Sequence, residues 1–195
     1  MDKDNGIFSN KFCSEISDIK MSCIDCVDNY FVAGDEKGYV YSYEINQNNM
    51  ITLSHCQFIA KGKIEQKKCL PNLNDAVILV NGTLYVFALP RFDLRYKFEN
   101  KEFSNIHKIV MNESPNAQNQ FLILNKKRKV KFFEYNPEIQ RLIEMKIEDL
   151  LVFELPDILE WYGNWFCYAN KKKFFVVSLF FLCYFSLLFL ILFFL

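Results

Sequence analysis

GYVYSYEI at residues 38–45 and GTLYVFAL at residues 82–89 decide the fold, because the same unit returns as RKVKFFEY at 128–135 and KKFFVVSL at 172–179. The four copies begin 44, 46 and 44 residues apart. Each is preceded by a second β-rich run: YFVAG at 30–34, DAVILV at 75–80, QFLILN at 120–125 and WFCYAN at 165–170. A tight polar turn joins each pair, at 35–38, Asn81-Gly82, Lys126-Lys127 and Lys171-Lys172. Asn-Gly between two apolar runs is a strong hairpin signal, since both residues tolerate φ > 0.

Working outward, another candidate strand precedes each hairpin, at 23–27, 64–70, 106–111 and 158–161. A weaker fourth follows the first three, at 55–60, 95–98 and 142–147. Four strands in roughly 40–50 residues is the period of a propeller blade. The spacing predicts three full blades and the beginning of a fourth, with 8–12 as a further outer strand. The competing architecture is a β-sandwich or a set of meanders. The WD dipeptide and the Gly-His pair of WD40 repeats are absent from the sequence.

Composition limits the alternatives. The chain has 195 residues, enough for one domain or one domain plus an anchor. With 51% hydrophobic and 24% charged residues, it can build a core and is not a long disordered segment. Its formal net charge of zero gives no pointer to nucleic acid. Seven cysteines, odd in number and irregularly spaced, follow a start without a secretory signal, so free thiols in a reducing compartment are expected.

Four stretches carry a family resemblance: IDCVDNYFVAGDEKGYVYSYEI at 24–45, VNGTLYVFALPRFDL at 80–94, LNKKRKVKFFEYN at 124–136 and ELPDILEWYGNWFCYANKKKFFVVSL at 154–179. Together they resemble the citron-homology (CNH) domain of the Vam6/TRAP-type vacuolar sorting family, the tethering subunits of HOPS and CORVET. The most telling steps are LPRFDL at 89–94 and the LPD…W-x-G pattern at 155–163, both closer to the HOPS-type subunit. The resemblance implies a seven-bladed propeller that docks Rab-type small GTPases and other tethering-complex subunits during endosome and vacuole fusion. In that family a helical solenoid and a zinc-binding region follow the propeller. This chain holds about four blades and neither of the others.

All the charge lies before Phe174. Phe174–Leu195 is 22 residues, mostly Phe and Leu, without one charge. As a helix it rises about 33 Å, enough for a hydrocarbon core of about 30 Å. Lys171, Lys172 and Lys173 precede it and place the preceding domain on the cytosolic side. Two other readings stand beside this tail anchor. The repeat register claims 174–179 as a strand of blade four, and the run is also consistent with a read-through beyond the true frame that replaces the remaining blades.

The remaining motifs point to little chemistry. Cys23-x-x-Cys26 has the spacing of half a zinc site or a redox pair. No second CxxC follows, and the histidines are His55 and His107 alone, so two ordinary buried thiols are expected. Asn81-Gly82-Thr83 and Asn112-Glu113-Ser114 match the glycosylation pattern, but without a secretory signal they should not meet the transferase. Lys126-Lys127-Arg128-Lys129 reads as a solvated turn, with a nuclear-import or lipid-contacting patch as the sharper alternative. Asp25, Asp28 and Asp35 cluster loosely and are assigned to solvation. The loop 112–119 is a guess for a contact surface.

The expected molecule is therefore all-β: a partial β-propeller over 1–173, then a hydrophobic C-terminal helix over 174–195. It is a protein-interaction module of a vacuolar or endolysosomal tethering subunit, on the cytoplasmic face of endosomal or vacuolar membranes. It is not an enzyme, and no catalytic, cofactor or metal residues are assigned. The alternative is a tail-anchored membrane protein with a small cytosolic β domain unrelated to tethering.

Overall fold

The computed structural model describes residues 19–27, 30–47, 50–70, 73–99, 103–147, 150–152, 154–171, 173–179 and 191–193. The elements named in them are all strands. The first sheet contains β1 (Met21–Val27), β2 (Tyr30–Asp35), β3 (Tyr39–Ile45) and β4 (Ile51–Phe58). The second contains β5 (Ile64–Leu70), β6 (Asp75–Val80), β7 (Thr83–Ala88) and β8 (Asp93–Lys97). β9 (Ile106–Met111), β10 (Gln120–Asn125), β11 (Lys129–Asn136) and β12 (Arg141–Glu144) form the third, with β13 (Leu150–Leu151) against β11. The fourth contains β14 (Ile158–Tyr162), β15 (Trp165–Ala169), β16 (Phe174–Ser178) and β17 (Ile191–Phe193).

Strand order within every sheet follows the chain, apart from β13, and neighbours pair antiparallel. Sequence alternation therefore puts successive side chains on opposite faces of each meander. The Asn-Gly signal is realised as expected: Val80 pairs with Thr83 across Asn81 at φ 50° and Gly82 at φ 70°. β5, β6, β9 and β10 carry the bounds that the pattern predicts. The outer strands are less well placed. β4 starts at Ile51, four residues before the expected position, and β13 and β17 were not expected. The reason is visible in β4, where Ile51, Thr52 and Leu53 are all exposed: the outer strand of a meander need not alternate.

Three apolar interfaces hold the sheets side by side. Val32 and Val40 of the first sheet pack with Ile64, Ala76, Ile78 and Val80 of the second. The other face of the second sheet, through Val77, Leu79 and Val86, packs with Phe121, Ile123 and Tyr135 of the third. Leu122, Leu124 and Phe132 then face Trp161, Phe166 and Phe175 of the fourth. A Cβ built on Gly34 would lie 2.5 Å from Ile64 Cγ2, so glycine is what lets the first two sheets approach.

The tail begins inside this arrangement. Phe174–Ser178 is β16, where the repeat register puts a strand and where a helix from Phe174 would start. β17 pairs with it, Phe174 opposite Phe193 and Val176 opposite Ile191. Within the span expected as a helix, residues 174–178 and 191–193 are strands of the fourth sheet, and the helix over 180–190 falls on residues outside the described ones. The strand is favoured at 174–178 because Phe175 and Val177 complete the third apolar interface. Among the described residues no helix is long and apolar enough to cross a membrane. Residues 180–190, on which the anchor and the read-through turn, lie outside the described residues, as do Asp28 and the expected strand at 8–12.

Candidate interaction surfaces

Polar side chains at the first strands tie each of the first three sheets to the sheet that follows it. Asp25 Oδ2 accepts the Cys69 N–H at 2.8 Å, from β1 to β5. Gln66 Oε1 accepts the Ile109 N–H at 2.7 Å, from β5 to β9. Asn112, just past β9, accepts the Gly163 N–H at 2.7 Å and donates to Gly163 O at 3.3 Å. Trp161 Nε1 donates to the same carbonyl at 2.7 Å. These bonds register neighbouring inner strands, since an acceptor left without its N–H inside such an interface costs about 1–3 kcal/mol. Sequence reading assigned Asp25 to solvation. Its role depends on a partner 44 residues away, which no local pattern reveals.

The CxxC pair does not converge. On a strand, residues three apart lie on opposite faces. Cys23 accordingly packs into the first interface, while Cys26 is exposed. The expectation of two buried thiols is corrected for Cys26. Beside Cys23 lie Cys69 and Lys67, the latter only 4% exposed. Lys67 Nζ donates to Asp25 O at 3.4 Å. Burial pushes Lys67 below the usual lysine value, and Cys69, Asp25 and Cys23 partly oppose that shift. Burial raises Cys69 to about 12, so the thiol stays protonated. Among the described residues no three His, Cys, Asp or Glu side chains are placed to hold a metal. The histidines lie on different sheets. His55 Nδ1 is 2.8 Å from Oγ of the adjacent Ser54, and His107, half-buried on β9, is pushed low by burial and by Lys108 and Lys126.

Both rims of the stack are exposed loops on a rigid support, a common setting for binding residues. On one rim are the turns between second and third strands. Asp35 Oδ1 accepts N–H groups from Lys37, Gly38 and Tyr39 at 2.9, 2.8 and 2.8 Å, so this carboxylate builds the turn instead of being merely solvated. Asn125 and Asn170 do the same for Lys129 and Lys173, at 3.0 and 2.9 Å. Asn81 instead donates to the Lys61 carbonyl. Lys126, Lys127, Arg128 and Lys129 stand exposed on this rim, as expected of a solvated turn.

The opposite rim carries the loop 112–119. It is only partly a contact surface, because Asn112 is buried and bonded on both side-chain atoms, which also withdraws it as a glycan acceptor in this fold. Pro115, Asn116, Gln118 and Asn119 do line a groove of about 190 Å³ with Leu70, Leu73 and Pro137, at the seam of the second and third sheets. Asn119 Nδ2 is held by Glu134 Oε1 and Tyr135 O, both at 3.2 Å, which stiffens the groove wall. An apolar floor with amide walls suits an extended peptide, whose backbone can exchange hydrogen bonds with the amides.

Successive four-stranded antiparallel meanders, stacked face to face in chain order, define a β-propeller arc. Solved structures agree. The Neurospora crassa Pan2 WD40 domain matches 82% of this chain and 47% of its own, at 13% identity and TM-score 0.62. A Bacteroides fragilis protein described as a 6-phosphogluconolactonase matches 81% and 50%, at 14% and 0.63. The β-propeller domain of Cps50 from Myceliophteria thermophila matches 81% and 50%, at 11% and 0.55. The chain spans about half the length of these structures, and likeness at this identity speaks for the fold alone. No curated protein sequence matches it. Residues 28–187 match the model of the CNH domain, and the chain belongs to that family. The two steps that carried the resemblance are structural: Phe92 is fully buried in the first interface at φ 59°, and Trp161 and Gly163 form the tie between third and fourth sheets.

Proposed function

We propose that this chain is a protein-interaction module of a vacuolar or endolysosomal tethering subunit. In this reading it binds Rab-type small GTPases or other subunits on the cytoplasmic face of endosomal or vacuolar membranes. The observation that carries the reading is the CNH family match over 28–187, joined to the Vam6/TRAP-like steps at 89–94 and 155–163. Contacts are assigned to the rims, because both faces of the second and third sheets are used in packing. No catalytic step is part of this reading.

The test is capture of GTP-loaded late-endosomal Rab GTPases and of tethering subunits by the full chain. Binding that falls at least tenfold on Asn116→Arg in the groove or on Lys126→Glu/Lys127→Glu at the basic turn supports it. Clean absence of both partner classes overturns it.

A second reading, a tail-anchored protein unrelated to tethering, is favoured by the uncharged run Phe174–Leu195. It predicts carbonate-resistant membrane association that is lost when residues 180–195 are deleted, with no capture of either partner class.

A further inference from the structure

One rim of the stack is laced into a continuous band. It carries the turns between second and third strands and the links from each sheet to the next. Backbone hydrogen bonds join these loops in order. Gly38 O accepts the Ile59 N–H at 2.9 Å, Gly82 O the Ile106 N–H at 3.0 Å, Asn105 O the Lys126 N–H at 2.9 Å and Arg128 O the Val152 N–H at 3.0 Å. Asn170 Nδ2 extends the band to the fourth sheet by donating to Glu154 Oε2 at 2.7 Å. Along it Lys37, Lys61, Lys63, Lys126, Lys127 and Lys171 are all exposed. The acids on these loops do not balance them. Asp35 is buried as the acceptor of its own turn, and Glu99 is held by Lys97 at 2.6 Å. Among the described residues Glu36, Glu154 and Asp157 are the other exposed acids there. The opposite rim has the reverse bias, with Glu44, Asp93, Glu113 and Glu138 exposed against Arg91 and Arg141. A chain of zero formal net charge thus has one basic rim and one weakly acidic rim.

We propose that the basic rim docks on an anionic lipid surface, with the opposite rim and its groove facing away. This deepens the membrane-face reading above by giving the chain an orientation. The charge complementarity fits lipid better than a protein partner in two ways. First, the ammonium groups are spread from the first sheet to the fourth. Stacked sheets lie about 10 Å apart, close to the screening length of about 8 Å in physiological salt. Each group therefore attracts its own headgroup, and a planar anionic surface meets them all at once. Second, the cations named on the band are lysines. An ammonium is a strongly hydrated point charge on a flexible stem, whereas the planar fork of arginine suits the fixed carboxylates of a protein surface. Each lysine near an anionic leaflet raises binding about fivefold.

The experiment synthesises the full chain in the presence of preformed, protein-free vesicles and recovers them by flotation. Neutral phosphatidylcholine vesicles, which report any insertion of the apolar tail, are compared with vesicles that also contain phosphatidylserine. At least tenfold more chain is expected on the anionic vesicles at about 0.1 M salt, and parity at about 1 M, where the screening length falls to about 3 Å. Lys61→Glu/Lys63→Glu and Lys126→Glu/Lys127→Glu each reduce the preference at least fivefold. Arg91→Glu/Arg141→Glu changes the net charge by the same amount on the other rim and leaves it intact. Equal recovery on both vesicle types, or a preference that neither lysine pair reduces, overturns the proposal. So does a preference that the arginine pair reduces as much, which would reflect net charge alone. Binding to polyglutamate without binding to anionic vesicles also overturns it, in favour of an acidic protein segment. The vesicles carry no GTPase or tethering subunit, so this outcome is separate from capture of those partners.

Discussion

Gly38 sits where the first hairpin meets the link to the second sheet, at φ 99°, and a Cβ there would fall 1.7 Å from the Ala60 carbonyl oxygen. That atom belongs to the backbone and cannot swing aside. Gly38→Ala therefore combines a strained φ with a main-chain clash, and about 3 kcal/mol or more of stability should be lost in urea unfolding. Lys67 makes the opposite case. Its folded pKa lies below the 10.5 of a free lysine, chiefly through burial. A depressed value means that stability is present above the unfolded pKa and is lost as pH falls through the folded one. At neutral pH the buried ammonium is a burden, so Lys67→Met should stabilise by about 1 kcal/mol. The advantage of the variant should shrink as pH rises toward 10.5, measured as the difference between two denaturation series. Neither residue announced itself: Gly38 was readable as a turn glycine, but its contact with Ala60 and the burial of Lys67 arise between sheets.

At the scale of the element, the sheets were legible and their ties were not. Continuous apolar runs marked β6 and β10 well, because each is packed on both faces and carries Ala, Val, Ile, Leu or Phe at nearly every position. β4, β8 and β12 were blurred because their mostly exposed side chains follow no strict period. Asn112 shows what such patterns miss. Its side chain serves Ser114, Gly163 and Gln120 at once, bridging third and fourth sheets. Asn112→Ala should cost about 2–3 kcal/mol. Hydrogen exchange of β14 and β15 should accelerate while β6 and β7 keep their protection. Equal acceleration in all four would mean that the tie is not local to its interface.

For the whole molecule, stability is shared among neighbours, as in other repeat architectures. Among the described residues, the second and third sheets pack on both faces, whereas the fourth packs on one. Backbone amides of β15 and β16 should therefore exchange faster than those of β6 and β10 at low protein concentration, read by exchange mass spectrometry. Phe132, wedged edge-on against Trp161 and Phe166 at 5.2 and 6.2 Å, holds that last interface. Phe132→Ala should cost about 3–5 kcal/mol and release the fourth sheet before the others.

The amino-acid sequence by itself determined the repeat, the hairpins and the all-β class, because strand alternation and turn chemistry are written within a few residues of each other. It also carried the CNH resemblance, through residues such as Phe92 and Trp161 whose burial makes their identity hard to change. Only the tertiary structure decided which carboxylates and amides tie the sheets, why Cys23 and Cys26 part company, and that Lys67 is buried between the sheets. Those outcomes depend on groups some 40 to 50 residues apart meeting across an interface, and burial, unlike periodicity, is a property of the assembled chain.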